Sequence, residues 1–150
     1  MKIKVHKVRD TAKLPVRAHA TDAGMDLFYC PEDTSGWVSI KPGGSALLET
    51  GLKIEVPPGN MLQVMNKSGI ASKKQLVTGA CVVDSGYDGE VFVNLQNIGT
   101  KPQVLEPGQK IAQAVMVPIV VPMIEEVSED SVYEFETSRG EGALGSTGDR

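Results

Sequence analysis

Apolar and polar residues alternate in short runs along nearly the whole chain, and turn residues cut each run before a long helix can form. Residues 1–8 alternate and are rich in Ile and Val, which predicts a strand. Residues 15–24 are polar and irregular. Further strands are expected at 25–30, 37–40, 46–50, 52–56, 61–65, 76–83, 89–97, 104–105 and 110–121. Turn compositions fall at 31–36, 41–44, 57–60, 85–86 and 106–108. Residues 66–74 have room for one or two helical turns. In the run 111–121, branched side chains together with Pro118 and Pro122 favour strand over helix. The acidic segment 124–136, with Val127, Val132, Tyr133 and Phe135 interspersed, reads as a final strand leading into a linker. Pro-Gly pairs recur near 42, 58 and 107, but the segments between them are not self-similar. Many short strands at this spacing predict an all-β sandwich or jelly roll with at most one short helix. With three Phe and one Trp, its core must be largely aliphatic. A small domain of this kind gains further burial by oligomerising.

Composition narrows the class. A chain of 150 residues, 41% hydrophobic and 23% charged, fits one domain with a real core. A net charge of -4 argues against broad nucleic-acid binding, which needs a concentrated basic patch, but leaves room for a local phosphate pocket. No run approaches the roughly 18 apolar residues of a membrane span, and residues 1–7 lack the apolar core of a signal peptide. A cytoplasmic protein is expected, in the host cytoplasm if the source is viral. Cys30 and Cys81 are two thiols without a disulfide framework, expected to be core or half-buried. Only His6 and His19 could join them on zinc, and no Ser/His/Asp triad can be assembled from those histidines.

The segment 139–148, Arg-Gly-Glu-Gly-Ala-Leu-Gly-Ser-Thr-Gly, cannot build a core. Glycine allows close backbone approach to a ligand, arginine offers a planar fork suited to phosphate, and the hydroxyls add donors and acceptors. The composition fits a lid that orders on an anion, and equally a loose terminus. It nearly matches the Walker A spacing, but Ser146 stands where the lysine belongs and no strand-then-helix context surrounds it, so a P-loop is excluded.

Three inner segments can carry chemistry. Asp84 ends an apolar run at the mouth of a Ser-Gly turn, with Tyr87 three residues on. A carboxylate there can orient and deprotonate a water, and the ring can pack on a sugar or base; alternatively the aspartate only caps a hairpin turn. Lys67, Ser68 and the backbone around Gly69 can face an anion from a helix start, or merely cap it. Gln113 sits within an apolar strand and must find partners if buried, or lie on the solvent face.

Five segments in order resemble the motifs of the trimeric dUTPases, the deoxyuridine triphosphate nucleotidohydrolases: 23–27 (Ala-Gly-Met-Asp-Leu), 67–71 (Lys-Ser-Gly-Ile-Ala), 83–90 (Val-Asp-Ser-Gly-Tyr-Asp-Gly-Glu), 108–113 (Gly-Gln-Lys-Ile-Ala-Gln) and 139–148. The resemblance implies a jelly-roll body over 1–136 and a flexible glycine-rich arm over 137–150 that completes a neighbouring subunit's active site in a homotrimer. It implies hydrolysis of dUTP to dUMP and pyrophosphate, with Mg²⁺ held by the triphosphate and water rather than directly by protein. Asp84 would activate the water that attacks the α-phosphorus. Thr78, Cys81, Val83, Tyr87 and Leu144 would line the base and sugar. Lys67, Ser68, Gly69, Gln113, Arg139, Ser146 and Thr147 would hold phosphate. Asp26 would support the metal's water shell or its neighbouring loop.

The chain departs from the family pattern mostly where the base is read. The second motif usually reads Pro-Arg-Ser; here it is Asn66-Lys67-Ser68, which keeps the charge and loses the bidentate fork. An asparagine and a glycine of the third motif are replaced by Thr78 and Cys81, so the amide pair is gone and bulk is added. The stacking phenylalanine is Leu144, the glycine before it is Ala143, and the arginine after Tyr87 is Asp88. Two alternatives follow. One is a pyrophosphatase that prefers or also accepts dCTP or a modified pyrimidine. The other is a catalytically weak interaction protein with this fold. A dCTP-deaminase reading lacks a position for its base-activating glutamate.

Overall fold

The fold was obtained as a computed structural model, which describes residues 2–135 and 138–143. The chain divides into two compact units, Met1–Val120 and Val121–Arg150.

The first unit is built of strands with one short helix, the expected jelly-roll architecture. Its strands are β1 (Val5–Lys7), β2 (Met25–Phe28), β3 (Val38–Ile40), β4 (Ser45–Glu49), β5 (Leu52–Ile54), β6 (Asn60–Met65), β7 (Leu76–Thr78), β8 (Val82–Val83), β9 (Phe92–Asn97), β10 (Gln103–Leu105) and β11 (Lys110–Pro118), and α1 is Ser68–Lys74. They pair as a four-stranded sheet in the order β2-β11-β6-β8, a three-stranded sheet β4-β9-β7, and the two-stranded pairs β1-β5 and β3-β10. Pairings between all named neighbours are antiparallel.

Alternation sets the inner faces. Leu62 and Val64 of β6, and Val93 and Leu95 of β9, are buried, while Met61, Gln63, Phe92 and Asn94 between them are not. On β11 the alternation slips once. A bulge between Lys110 and Ala112 puts Ile111 and Ala112 both inside. One apolar cluster draws on both larger sheets; Phe28 and Tyr29 belong to it, but its most fully buried large side chains are Leu and Ile, in keeping with the scarcity of aromatic residues. The buried Asn97 is satisfied: its Nδ2 donates to the carbonyls of Ile40 and Lys101, both at 2.8 Å, and its Oδ1 accepts from Gly99 N–H at 2.9 Å.

Each of the three Pro-Gly pairs forms a type II turn. The N–H groups of Gly44, Asn60 and Gln109 donate back to the carbonyls of Lys41, Pro57 and Glu106, with a positive-φ glycine third in each turn.

Several strand expectations are corrected. The apolar run 76–83 is two strands in different sheets: β7 pairs β9, whereas β8 pairs β6, and residues 79–81 carry the chain across. Among the described residues of the first eight, strand content is limited to Val5–Lys7; β9 starts at Phe92 rather than 89, and β11 ends at Pro118. The helix forms two turns, Ser68–Lys74.

In the second unit, the strand expected at 124–136 is absent among the described residues. A 3₁₀ turn, Glu129–Ser131, stands there instead, and Met123, Ile124, Tyr133 and Phe135 are exposed. Local alternation cannot make a strand where no ladder partner takes up the backbone groups.

Candidate active site

The four-stranded sheet gathers the candidate residues. In its register Asp26 of β2 faces Gln113 of β11, and Gln113 faces Met65 of β6. One step past Met65 come Asn66 and Lys67, then the first helical residue, Ser68. Three segments distant in sequence thus end in one row.

Asp26 is buried, at 5% exposure, and is doubly paired. Lys67 Nζ donates to its Oδ1 and Lys110 Nζ to its Oδ2, each at 2.7 Å. Burial alone would raise the Asp26 carboxyl, but the hydrogen bonds and charges of Lys110 and Lys67 outweigh it and hold it below the usual carboxylate range. Two ammonium groups against one carboxylate leave this end of the sheet with a net positive charge. Each ammonium carries three donors, so pairing with Asp26 leaves others free. Lys110 was not singled out from the sequence; its signal was a second cation on the strand facing Asp26.

Gln113 is half-buried, and its Nε2 donates to the main-chain carbonyl of Asn66 at 2.9 Å. Its Oε1 lies where a side chain on Gly24 would begin, so a larger residue at 24 would turn the Gln113 amide away from this position. Asn66 Oδ1 in turn accepts the Thr78 N–H at 2.7 Å. Asn66 appeared in sequence only as a departure from the pattern; its contacts span 12 and 47 residues, and no local signal announces them.

Helix α1 begins at Ser68 with Lys67 at the cap position, and no side chain caps it. Of the two readings of this segment, the capped start is therefore not what forms. The first N–H groups of a helix have no intrahelical acceptor, and here they belong to Ser68 and Gly69.

The other candidates lie across β6. Val83 pairs with Leu62 and Val82 with Gln63, while Val64 N–H donates to the Cys81 carbonyl at 2.7 Å. Asp84 follows at the start of a turn in which Tyr87 N–H donates to the Asp84 carbonyl at 3.2 Å and Gly86 takes a φ of 92°. Asp84 is exposed, and among the described residues no hydrogen bond or ion pair reaches its carboxylate. The backbone makes the turn, so the side chain is not a cap. The Tyr87 ring folds over Gly89, and its hydroxyl donates to the Glu90 carbonyl at 2.8 Å. A groove of about 390 Å³ runs beside this turn, lined by Lys4, His6, Lys53, Ile54, Tyr87 and Asp88 among others. Cys81 is half-buried and Cys30 buried, both as free thiols.

Glu90, six residues beyond Asp84, is held by Arg9. Arg9 Nη1 and Nη2 donate to Glu90 Oε1 and Oε2 at 2.8 and 2.9 Å, and Gly51 N–H adds a third bond at 2.7 Å. The hydrogen bond with Glu90 raises the Arg9 pKa, against the effect of burial. In the second unit, Arg139 Nε donates to the Gly142 carbonyl at 2.8 Å, and Gly142 N–H returns a bond to the Arg139 carbonyl. Leu144, Ser146 and Thr147 lie outside the described residues.

Fold and site together define an all-β jelly-roll protein with a cationic sheet end and a free carboxylate on a neighbouring turn. The family model described as dUTPase matches residues 10–148, and the chain belongs to the dUTPase family. The deoxyuridine 5'-triphosphate nucleotidohydrolase of Alkaliphilus metalliredigens (strain QYMF) is 41% identical over 148 residues, 97% of this chain and 96% of that one. Among solved structures, a mutant dUTPase of Staphylococcus bacteriophage 80alpha with dUpNHpp superposes with a TM-score of 0.85 at 28% identity, covering 98% of each chain. A mutant dUTPase of phage phi11 of S. aureus, described with a structural Mg(II) ion, has a TM-score of 0.76 at 26% identity, covering 86% of this chain and 98% of that one.

Proposed function

We propose that this chain hydrolyses dUTP to dUMP and pyrophosphate by attack of water on the α-phosphorus, with Mg²⁺ on the triphosphate. Within the family, the observation that carries this reading is the sheet register. It sets Asp26, Gln113 and the Lys67–Ser68 helix start in one row, while Asp84 hangs unpaired on the turn after β8. Lys67, Lys110, the Gln113 amide, the Ser68 hydroxyl and the backbone at Gly69 are all donors suited to phosphate oxygens. Asp84 is free to accept a proton from water as its oxygen attacks; the bridging oxygen then leaves with pyrophosphate. Tyr87 offers its ring to the deoxyribose, and Thr78, Cys81 and Val83 line the base.

The metal fits as an ion that arrives on the nucleotide with its waters. Among the described residues no group of three or more His, Cys, Asp or Glu is placed to hold one, and each Asp26 oxygen already accepts from an ammonium. Asp26 suits a role beside the ion's water shell. When bound, Mg²⁺ would offset negative charge on the triphosphate, with Asp26 beside its water shell.

The register also favours a site shared between chains. Asp84 comes one residue past the pair Val83–Leu62, whereas Gln113 faces Met65. The offset along β6 is about 10 Å or more at 3.3 Å per residue. A base must lie within hydrogen-bond reach of the water it activates. Asp84 of one subunit would therefore serve the Lys67–Gln113 row of another, in a homotrimer, with Arg139, Ser146, Thr147 and Leu144 of an arm over 137–150 closing the site.

Pyrophosphate release with Mg²⁺ and each of dUTP, dCTP, dATP, dGTP and dTTP tests the reading. Release from dUTP is expected; no release from any of them defeats it. Light scattering should give three chains per particle, and an active monomer would defeat the shared site. Deleting 139–150 should cost turnover without lowering the melting temperature of the body, because the aliphatic core lies within the first 120 residues. A second reading, relaxed base choice, is favoured by Thr78: it lacks an amide, and its own N–H is taken by Asn66. Similar rates with dCTP and dUTP would establish it.

A further inference from the structure

We propose that Asn66 is a positioning residue that ties base selectivity to the grip on phosphate; the inference rests on the dUTP-hydrolysis reading above. Asn66 stands between the end of β6 and the start of α1 and bonds in two directions. Its side-chain Oδ1 accepts the Thr78 N–H at 2.7 Å, and its main-chain carbonyl accepts Gln113 Nε2 at 2.9 Å.

The Thr78 bond fixes the point where the chain leaves one sheet for the other. Residues 79–81 cross from β7 to β8. The far end of the crossing is tied to β6 by Val64 N–H on the Cys81 carbonyl, and the near end is tied by Asn66 on Thr78. Both ends, which are also the two altered base-lining positions, thus take their placement from the last residues of one strand. Removing the Asn66 side chain takes the acceptor from the Thr78 N–H and frees the near end.

The Gln113 bond fixes which way its amide points. Nε2 faces Asn66 and Oε1 faces Gly24, so the second Nε2 hydrogen remains for an anion. The carbonyl at 66 survives any substitution there, but its aim depends on how the turn is held. The Oδ1 bond to Thr78 is the side-chain part of that hold, beside the Met65–Gln113 pairing and the helix-start bonds to the Lys67 carbonyl. One side chain therefore keeps a base-lining residue and a phosphate-facing residue in register.

The test compares Asn66→Ala and Asn66→Asp with the wild type by steady-state kinetics on dUTP and dCTP, and by hydrogen exchange of the Thr78 amide. Asn66→Ala should raise KM for dUTP more than it lowers kcat. It should also change the dUTP-to-dCTP ratio of kcat/KM by about threefold to tenfold, the range of one net hydrogen bond, and speed Thr78 exchange. Asn66→Asp keeps an oxygen for the Thr78 N–H and should restore both the ratio and the exchange protection. Its added charge raises KM for both triphosphates alike and cancels in the ratio. An Asn66→Ala protein with wild-type ratio and wild-type exchange overturns the inference. If Asn66→Ala does not fold, an Asn66→Asp protein that folds but loses the ratio overturns it equally. A wild-type protein inactive on both nucleotides overturns the functional reading and this inference together. An active wild type with an unmoved ratio in Asn66→Ala overturns the inference alone.

Discussion

Glu90 and Asp84 lie six residues apart on the same segment, and the fold uses them in opposite ways. Glu90 is clamped by both arms of Arg9 and by Gly51 N–H, and its side chain is 14% exposed. Asp84 is exposed on a turn whose backbone needs nothing from its side chain. A carboxylate spent on guanidinium and amide donors holds chain segments together. One left without partners keeps its lone pairs for a reacting water. Asp26 stands between the two: paired on both oxygens, yet by lysines whose remaining donors are free.

Breaking the free carboxylate should have the largest effect. Asp84→Asn is expected to lower kcat by roughly 10²–10⁴, the usual contribution of a positioned base, with the melting temperature unchanged. Undiminished turnover would remove Asp84 from its role. Arg9→Ala should do the reverse. It leaves Glu90 nearly buried without its cation and should cost about 3 kcal/mol of stability, read as a lowered urea midpoint, while turnover per folded molecule falls far less. Asp26 should show a smaller, pH-dependent effect. Its carboxyl lies below the ordinary value, so the stability it contributes is complete above about pH 4 and is lost as pH falls through the depressed value. The wild-type melting temperature should therefore drop more steeply below about pH 4 than that of Asp26→Asn. Equal slopes would show that the lysine pairs contribute nothing to folding. Smallest of all, Thr78→Asn should raise the preference for dUTP over dCTP by roughly three- to tenfold, one hydrogen bond's worth, by returning an amide to the position proposed to line the base.

What the sequence revealed follows from the range of the forces involved. The Pro-Gly turns, the alternation in β6 and β9, and the glycine turn after Asp84 are local, and all three were legible. The break between β7 and β8 was not, because 76–83 is one apolar-rich run whose ladder partner changes midway, and partner choice leaves no mark on the run itself. The acidic stretch around Ile124 shows the converse, since side chains that could alternate do not make a strand unaided. Among the candidate site residues, the pairings were not legible. Arg9 with Glu90 spans 81 residues, and Asp26 with Lys67 spans 41. Asn66 read only as a departure from the family pattern, because its two bonds reach 12 and 47 residues away.

Gly24 deserves its place for what it lacks. Since the Gln113 oxygen occupies the spot where a methyl at 24 would stand, a change at one position bears on the other. A natural or engineered lineage that enlarges residue 24 must swing the Gln113 amide aside or shorten it. Any mutational library that explores the glutamine while holding the glycine constant samples only half of a linked pair.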